Sequence, residues 1–355
     1  FVRELCFGAP EDVNVMFMRS LPSVPSVLLD STDPEQNTGE LLAGPMSFNL
    51  NEFAMIDSVE ALDLRDHELR AARTFSHKKD LWLPDHKPYK FLKHPLVSAI
   101  MAVETMIEAA RLLYPHLVVR AVREARFLDI LECPSGTDRT SEVSCRRIVS
   151  PAKEVVCGVT ISTRDISPTG RMLDKTFVNY NAEVVLGGGL GFPDPDLSRF
   201  PVGKGELDSR PMDKAEVLKW YEDRSDMKGR YRLMEALDGS GPDCVRGRFV
   251  YHESDDFAPP LNTIYRYSPY LLEALMQAAI FFVIMRDENE ERTIIPHSIA
   301  EMIPFRKCIN RETVIVEGRM LSQTDEGLTW EARGVDEKGN TLMILKKMVL
   351  RWFKA

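Results

Sequence analysis

The stretch SPYLLEALMQAAIFFVIM, Ser268 to Met285, decides the reading of this chain. Apart from Glu273 and Gln277, nearly every residue after its opening serine is small or apolar. Ser268 and Pro269 are the types favoured at a helix N-cap and first position, so a helix is expected to open there. A helix that is apolar almost all round must be buried rather than laid on a surface. A second long helix is expected from SAIMAVETMIEAARLLY, residues 98–114, with Ser98 as its cap and Pro115 as its stop.

Working outward from the two helices, each half of the chain shows the same grammar. VVRAVREARFLDIL, SEVSCRRIV, EVVCGVTISTR and KTFVNYNAEVVL follow the first helix, and RTIIPHSIAEMIPF, ETVIVEGRML, LTWEARGVDEKGN and TLMILKKMVLRWF follow the second. These runs are rich in β-branched and aromatic residues and are punctuated by turn signals, which predicts meanders of antiparallel strands. EFAMIDSVEALDL and HELRAARTFS predict two more strands before the first helix, CVRGRFVYH one before the second, and DKAEVLKWYED a short helix. The expected fold class is α+β, with two curved antiparallel sheets, each wrapped around one long apolar helix and sharing one extended sheet. The divisions read from composition are residues 1–48 as an N-terminal extension, 49–190 as the first unit, 191–211 as a Gly- and Pro-rich linker and 212–355 as the second unit.

The bulk composition excludes several classes. With 355 residues and 44% apolar content the chain can fill a large core. Its net charge of -9 argues against a nucleic-acid groove or an anionic membrane surface, both of which need a positive field. Six cysteines with no CxxC pair point to a reducing compartment, so the cytoplasm is expected. No targeting segment is read, and the opening Phe1 suits a piece of a longer polypeptide. No zinc spacing, HExxH or GxSxG is found, and GGGLG at 187–191 has no helix opening behind it.

Two groups stand out for chemistry. Glu273 and Gln277 are spaced i,i+4, on one helix face, so the amide can orient the carboxyl group. A buried Glu273, in the second turn, would hold its proton towards neutral pH; on a partly exposed face it would be an ordinary helix-capping glutamate. His86 sits in LWLPDHKPYK, a loop stiffened by Pro84 and Pro88, which is a good platform for a base. His94 and His297 are rivals to it, and His77 reads as solvated.

These residues carry a resemblance. LWLPDHKPYKFLKHPLVSAIMAVETMIEAARLL, YSPYLLEALMQAA and RTIIPHSIAEMIPFR resemble the motifs of the double-hotdog dehydratase domains of polyketide synthases and polyunsaturated-fatty-acid synthases, relatives of the β-hydroxyacyl-carrier-protein dehydratases. The resemblance covers about residues 49–353, and the second motif is its most specific part, because helix, acid and amide recur together. It implies a double hotdog that removes water from a 3-hydroxyacyl thioester to give the 2-enoyl thioester. His86 falls on the family's catalytic base, Glu273 on its acid and Gln277 on the acid's partner. Ser98, Ala99, Lys93, His94, Pro95, Glu104, Tyr267 and Pro269 are implied around the substrate. No cofactor is implied beyond the phosphopantetheine arm of an acyl carrier protein, which brings the substrate. That carrier and the other domains of a multidomain synthase are the implied partners, with a homodimer as the common assembly and no nucleic acid or membrane.

The chain departs from the pattern at three places. Glu273 stands where the family has aspartate, Lys90 or Lys93 where it has a glycine after the histidine, and Ser98-Ala99 where its first helix opens with proline-glycine. These departures keep two other readings open: a noncatalytic double-hotdog domain that binds acyl chains or scaffolds a synthase, and a related enoyl-thioester isomerase.

Overall fold

The computed structural model describes residues 42–47, 53–148, 154–166, 172–188, 197, 199–252, 267–286 and 293–353. Each long apolar stretch is a helix surrounded by sheet. Helix α1 spans Ala99–Leu113, and its residues from Ile100 to Ala110 are all buried. The short helix α2, Lys214–Arg224, opens on a capping box in which Asp213 accepts from the Glu216 N–H while the Glu216 side chain accepts from the Asp213 N–H. Helix α3, Pro269–Arg286, starts where Ser268 and Pro269 predict. It is long and apolar enough to cross a membrane by length and composition, yet 72% of it is buried inside the chain. Burial on all sides answers its all-round apolar sequence: it is a core axis.

Among the described residues, thirteen strands form a single sheet. The front strands are β1 (Leu42–Ser47), β2 (Ser58–Asp63), β3 (Glu68–Phe75), β4 (Val118–Phe127), β5 (Arg139–Ile148), β6 (Val155–Ile166) and β7 (Met172–Gly187). The rear strands are β8 (Met234–Ser240), β9 (Cys244–Tyr251), β10 (Thr293–Pro304), β11 (Glu312–Thr324), β12 (Gly327–Asp336) and β13 (Thr341–Phe353). Their spatial order is β1-β2-β3-β5-β6-β7-β4-β10-β13-β12-β11-β9-β8. Strands β3 to β7 pack on α1, strands β8, β9 and β11 to β13 pack on α3, and the two helices touch each other. The expected double hotdog with one extended sheet is therefore what the chain forms.

The seam is the antiparallel pair β4–β10, with Ile299 opposite Ala125 and Met302 opposite Val122. Arg123 Nε donates to Glu301 across it at 2.9 Å, and Lys346 of β13 donates to the other Glu301 oxygen at 2.8 Å. The sheet approaches α3 closely: a Cβ on Gly334 of β12 would lie 2.7 Å from the end of the Leu271 side chain, which would have to shift to admit it.

Two segments differ from the sequence reading. Residues 42–47, expected in the extension, form β1 and pair antiparallel with β2, so the front sheet reaches past the boundary at 49. Part of the expected linker is packed rather than loose. Val202 is buried, its N–H donates to Glu317 and its carbonyl accepts from Arg246 at 3.0 Å. Glycine and proline composition reads as linker, but buried Val202 and the Asp208 and Ser209 N–H groups, which donate to the Ser240 carbonyl, fasten the segment to the rear sheet.

Candidate active site

The front loop is built to hold His86 still. Buried Trp82 and Leu83 anchor a single 3-10 turn, Leu83–Asp85, from which His86 follows directly. Leu96 N–H donates to the His86 carbonyl at 3.0 Å, and His86 Nδ1–H donates to the Leu96 carbonyl at 2.9 Å. A backbone carbonyl can only accept, so Nδ1 carries the proton and Nε2 keeps its lone pair. The ring is buried at 8% exposure. Burial disfavours the imidazolium and pushes its pKa down to about 4, so the ring is neutral at pH 7.

The loop is also tied to the rear unit. Asp85 accepts from Arg230 Nη1 at 2.8 Å, the Lys228 N–H donates to the Asp85 carbonyl at 3.0 Å, and Lys87 pairs with Asp226 at 2.7 Å. The Tyr231 ring lies 4.6 Å from the His86 ring, and its hydroxyl shares a 2.7 Å hydrogen bond with Ser98 Oγ. Ser98 therefore occupies the cap position of α1 without capping it; its hydroxyl is spent on Tyr231.

Glu273 lies one turn into α3 and is buried at 4% exposure. Gln277 Nε2 donates to Glu273 Oε1 at 3.0 Å, as the i,i+4 spacing predicts. The same nitrogen donates to the Tyr231 carbonyl at 2.9 Å. Burial raises the Glu273 pKa to about 7, with the Gln277 hydrogen bond pulling weakly the other way.

His86 and Glu273 open onto one cavity of about 380 Å³. Its wall is mostly apolar, with Tyr89, Val97, Met276, Ile280, Ile294 and Leu350 among the lining side chains. Ala99, the first residue of α1, also lines it. The cavity joins the units: His86 comes from the front, Glu273 from the rear, and Tyr89 donates across to the Ile294 carbonyl.

Other residues named from sequence lie elsewhere. Lys93 is exposed, and neither it nor His94, Pro95, Glu104, Tyr267 or Pro269 is among the lining residues of the cavity. Glu104 is fully buried on α1. Tyr267 donates to the Ile100 carbonyl at 2.7 Å, and buried Pro269 starts α3, so both serve the packing of the two helices. His77, expected in solvent, is half-buried and hydrogen-bonded through Nε2 to the Cys133 carbonyl at 2.8 Å. His297 is at the cavity with Arg351. Sequence reasoning missed Tyr221, Met227 and Tyr231 as parts of the site. Tyr221 and Tyr231 sit in the charged stretches LKWYEDR and KGRYRL, which carry no local sign of a buried site. The signal that would have found them, a hydroxyl facing Gln277 or Ser98, exists only after folding.

The chain is thus a double hotdog with an imidazole and a carboxyl group on one mostly apolar cavity. Residues 200–355 match the family model described as "Polyketide synthase dehydratase N-terminal domain". Solved structures share the fold. The dehydratase domain from the CurF module of curacin polyketide synthase is 15% identical with a TM-score of 0.66, covering 85% of this chain and 100% of that one. A CurJ dehydratase described as an inactive His-to-Phe mutant, in complex with a compound, is 16% identical with a TM-score of 0.63, covering 85% and 96%. A CurK dehydratase described as an inactive Asp-to-Asn mutant is 14% identical with a TM-score of 0.61, covering 82% and 95%. No curated protein sequence matches the chain. The family match covers residues 200–355, and the chain shares the fold of those dehydratase domains across both units.

Proposed function

We propose that the chain eliminates water from a 3-hydroxyacyl thioester to give the 2-enoyl thioester, with His86 as base and Glu273 as acid. The observation that carries this reading is the shared cavity, in which burial leaves the base neutral and keeps about half of the acid protonated at pH 7. His86 Nε2 takes the proton from C2, and the electron pair forms the C2–C3 double bond. The C3–O bond breaks as Glu273 gives its proton to the leaving hydroxyl, which departs as water. Return of the proton from imidazolium to carboxylate resets both groups. The α1 N-terminus at Ala99 supports the thioester carbonyl as charge builds on its oxygen, because the first N–H groups of a helix have no intrahelical acceptor. Gln277 holds the acid in place. An acyl carrier protein delivers the substrate on its phosphopantetheine arm, and other synthase domains are the expected neighbours. No electrons leave the substrate, so the reaction itself calls for no redox cofactor.

The test is turnover of a 3-hydroxyacyl-pantetheine thioester, followed by appearance of the conjugated enoyl product. The rate is expected to hold between about pH 4 and 7, falling above as Glu273 ionises and below as His86 protonates. His86→Ala and Glu273→Gln are each expected to lose at least about a hundredfold in kcat, the usual scale of acid–base catalysis. Undiminished turnover in both variants sinks the assignment.

A further inference from the structure

Tyr221 lies on α2, outside the cavity wall and fully buried. Its hydroxyl accepts from the Met234 N–H at 3.2 Å and donates to Gln277 Oε1 at 2.5 Å. Each link of this relay has one permitted polarity. The Met234 N–H can only donate, so the phenolic hydrogen is free to point at Gln277. The Tyr231 carbonyl can only accept, so the Gln277 nitrogen must face it. Between these two contacts the amide cannot turn over without setting oxygen against oxygen at Tyr231 and stranding the phenol. The second hydrogen of Nε2 then falls on Glu273 Oε1. When the acid is neutral, the oxygen that accepts from the amide is its carbonyl oxygen, which leaves Oε2 to carry the transferable proton.

We propose that Tyr221 is a positioning residue for the elimination: its hydroxyl locks the Gln277 amide so that the Glu273 proton stays on Oε2. The inference rests on the dehydratase reading for its catalytic consequence, but the lock itself is a property of the resting protein. The ionisable and hydroxyl groups that bear on Glu273 are His86 across the cavity, Tyr89 of the front loop and Tyr221 itself. The two tyrosines are pushed far above their ordinary range by burial, so neither becomes an anion at working pH.

The experiment pairs a titration with kinetics. Tyr221→Phe keeps the ring that packs on Trp220 and Phe281 and removes only the hydroxyl. Glu273 is titrated without substrate by the carbon-13 signal of its labelled carboxyl, assigned with Glu273→Gln. With the phenol gone, Gln277 Oε1 loses the donor that polarises the amide, so Nε2 donates less strongly to Glu273 and the Glu273 midpoint is expected to rise by about one pH unit, a tenfold change in proton affinity. The alkaline limb of the rate profile should move with it, while kcat falls about tenfold and KM holds. 3-Fluorotyrosine at 221 preserves the fold and donates more strongly, so it should move the midpoint down. An unmoved Glu273 midpoint in both proteins overturns the lock; if Tyr221→Phe does not fold, the fluorotyrosine protein decides alone. Absence of turnover in wild type with midpoints that move as stated overturns the dehydratase reading and leaves the lock standing.

Discussion

The same cavity displaces two groups in opposite directions, and this makes a quantitative prediction about stability. Burial moves His86 from 6.5 down to about 4 and Glu273 from 4.5 up to about 7. Each displacement is about 2.5 pH units, worth about 3 kcal/mol at ~1.4 kcal/mol per unit. The signs are opposite. Between pH 6.5 and 4 the unfolded chain binds a proton at His86 that the folded chain refuses, so acid destabilises the fold through this residue. Between pH 4.5 and 7 the folded chain keeps a proton on Glu273 that the unfolded chain has released, so alkali destabilises the fold through that one. In the wild type the two slopes nearly cancel from about pH 4.5 to 6.5. Glu273→Gln removes the second slope: it should be about 3 kcal/mol more stable than wild type at pH 7.5 and equal to it at pH 4. His86→Asn removes the first: it should gain about 3 kcal/mol at pH 4 and nothing at pH 7.5. Urea unfolding of the three proteins at pH 4, 5.5 and 7.5 measures both differences, and other titrating groups cancel in the comparison with wild type. A Glu273→Gln difference that is the same at pH 4 and 7.5 would refute the claim that burial, acting on a neutral acid, sets this site.

Two further outcomes follow from the geometry. Glu273→Asp withdraws the carboxyl group by one methylene and breaks its 3.0 Å contact with Gln277. Although the family resemblance has aspartate here, kcat in this chain should fall by about a hundredfold, the cost of ångström-scale misplacement, and equal rates in the two proteins would show that the acid is not held where described. Arg230→Met removes the half-buried partner of Asp85; it should cost about 1–2 kcal/mol in denaturant and speed hydrogen exchange at the His86 and Leu96 amides, and unchanged protection there would show that the loop stands without the rear unit.

Periodic features were legible in the sequence and long-range ones were not. Helices α1 and α3 could be read from their runs of apolar and small residues, and β9 to β13 from alternation and the DEKGN turn, which closes with the Asp336 N–H on Asn340. Strand β8, MEALDGS, was not among the strands expected; in the fold Gly239 takes φ 140 at a register shift and the strand continues. Glu273 and Gln277 were legible because their contact is local, four residues apart on one helix. Tyr221 reaches Gln277 across 56 positions and Tyr231 reaches Ser98 across 133, and no local pattern carries such pairs. Ser98 shows the limit from the other side: its type and place predict a cap, and a distant tyrosine takes the hydroxyl instead.

Segment 226–231 explains how two units can work as one site. It reaches the base loop through Asp226 with Lys87, Arg230 with Asp85, and the Tyr231 ring on His86. It reaches the acid through the Tyr231 carbonyl, which fixes Gln277. A shift of this segment would therefore move base and acid orientation together. The chemistry also has a single physical source. One apolar cavity favours the uncharged form of any group in it, and for an imidazole that form is the base while for a carboxyl group it is the acid. No cation need sit beside the histidine and no anion beside the glutamate to prepare them. Admitting water would reverse both preparations at once, protonating the imidazole more readily and stripping the carboxyl group. The apolar wall that both units supply is thus part of the acid–base machinery as much as of the fold.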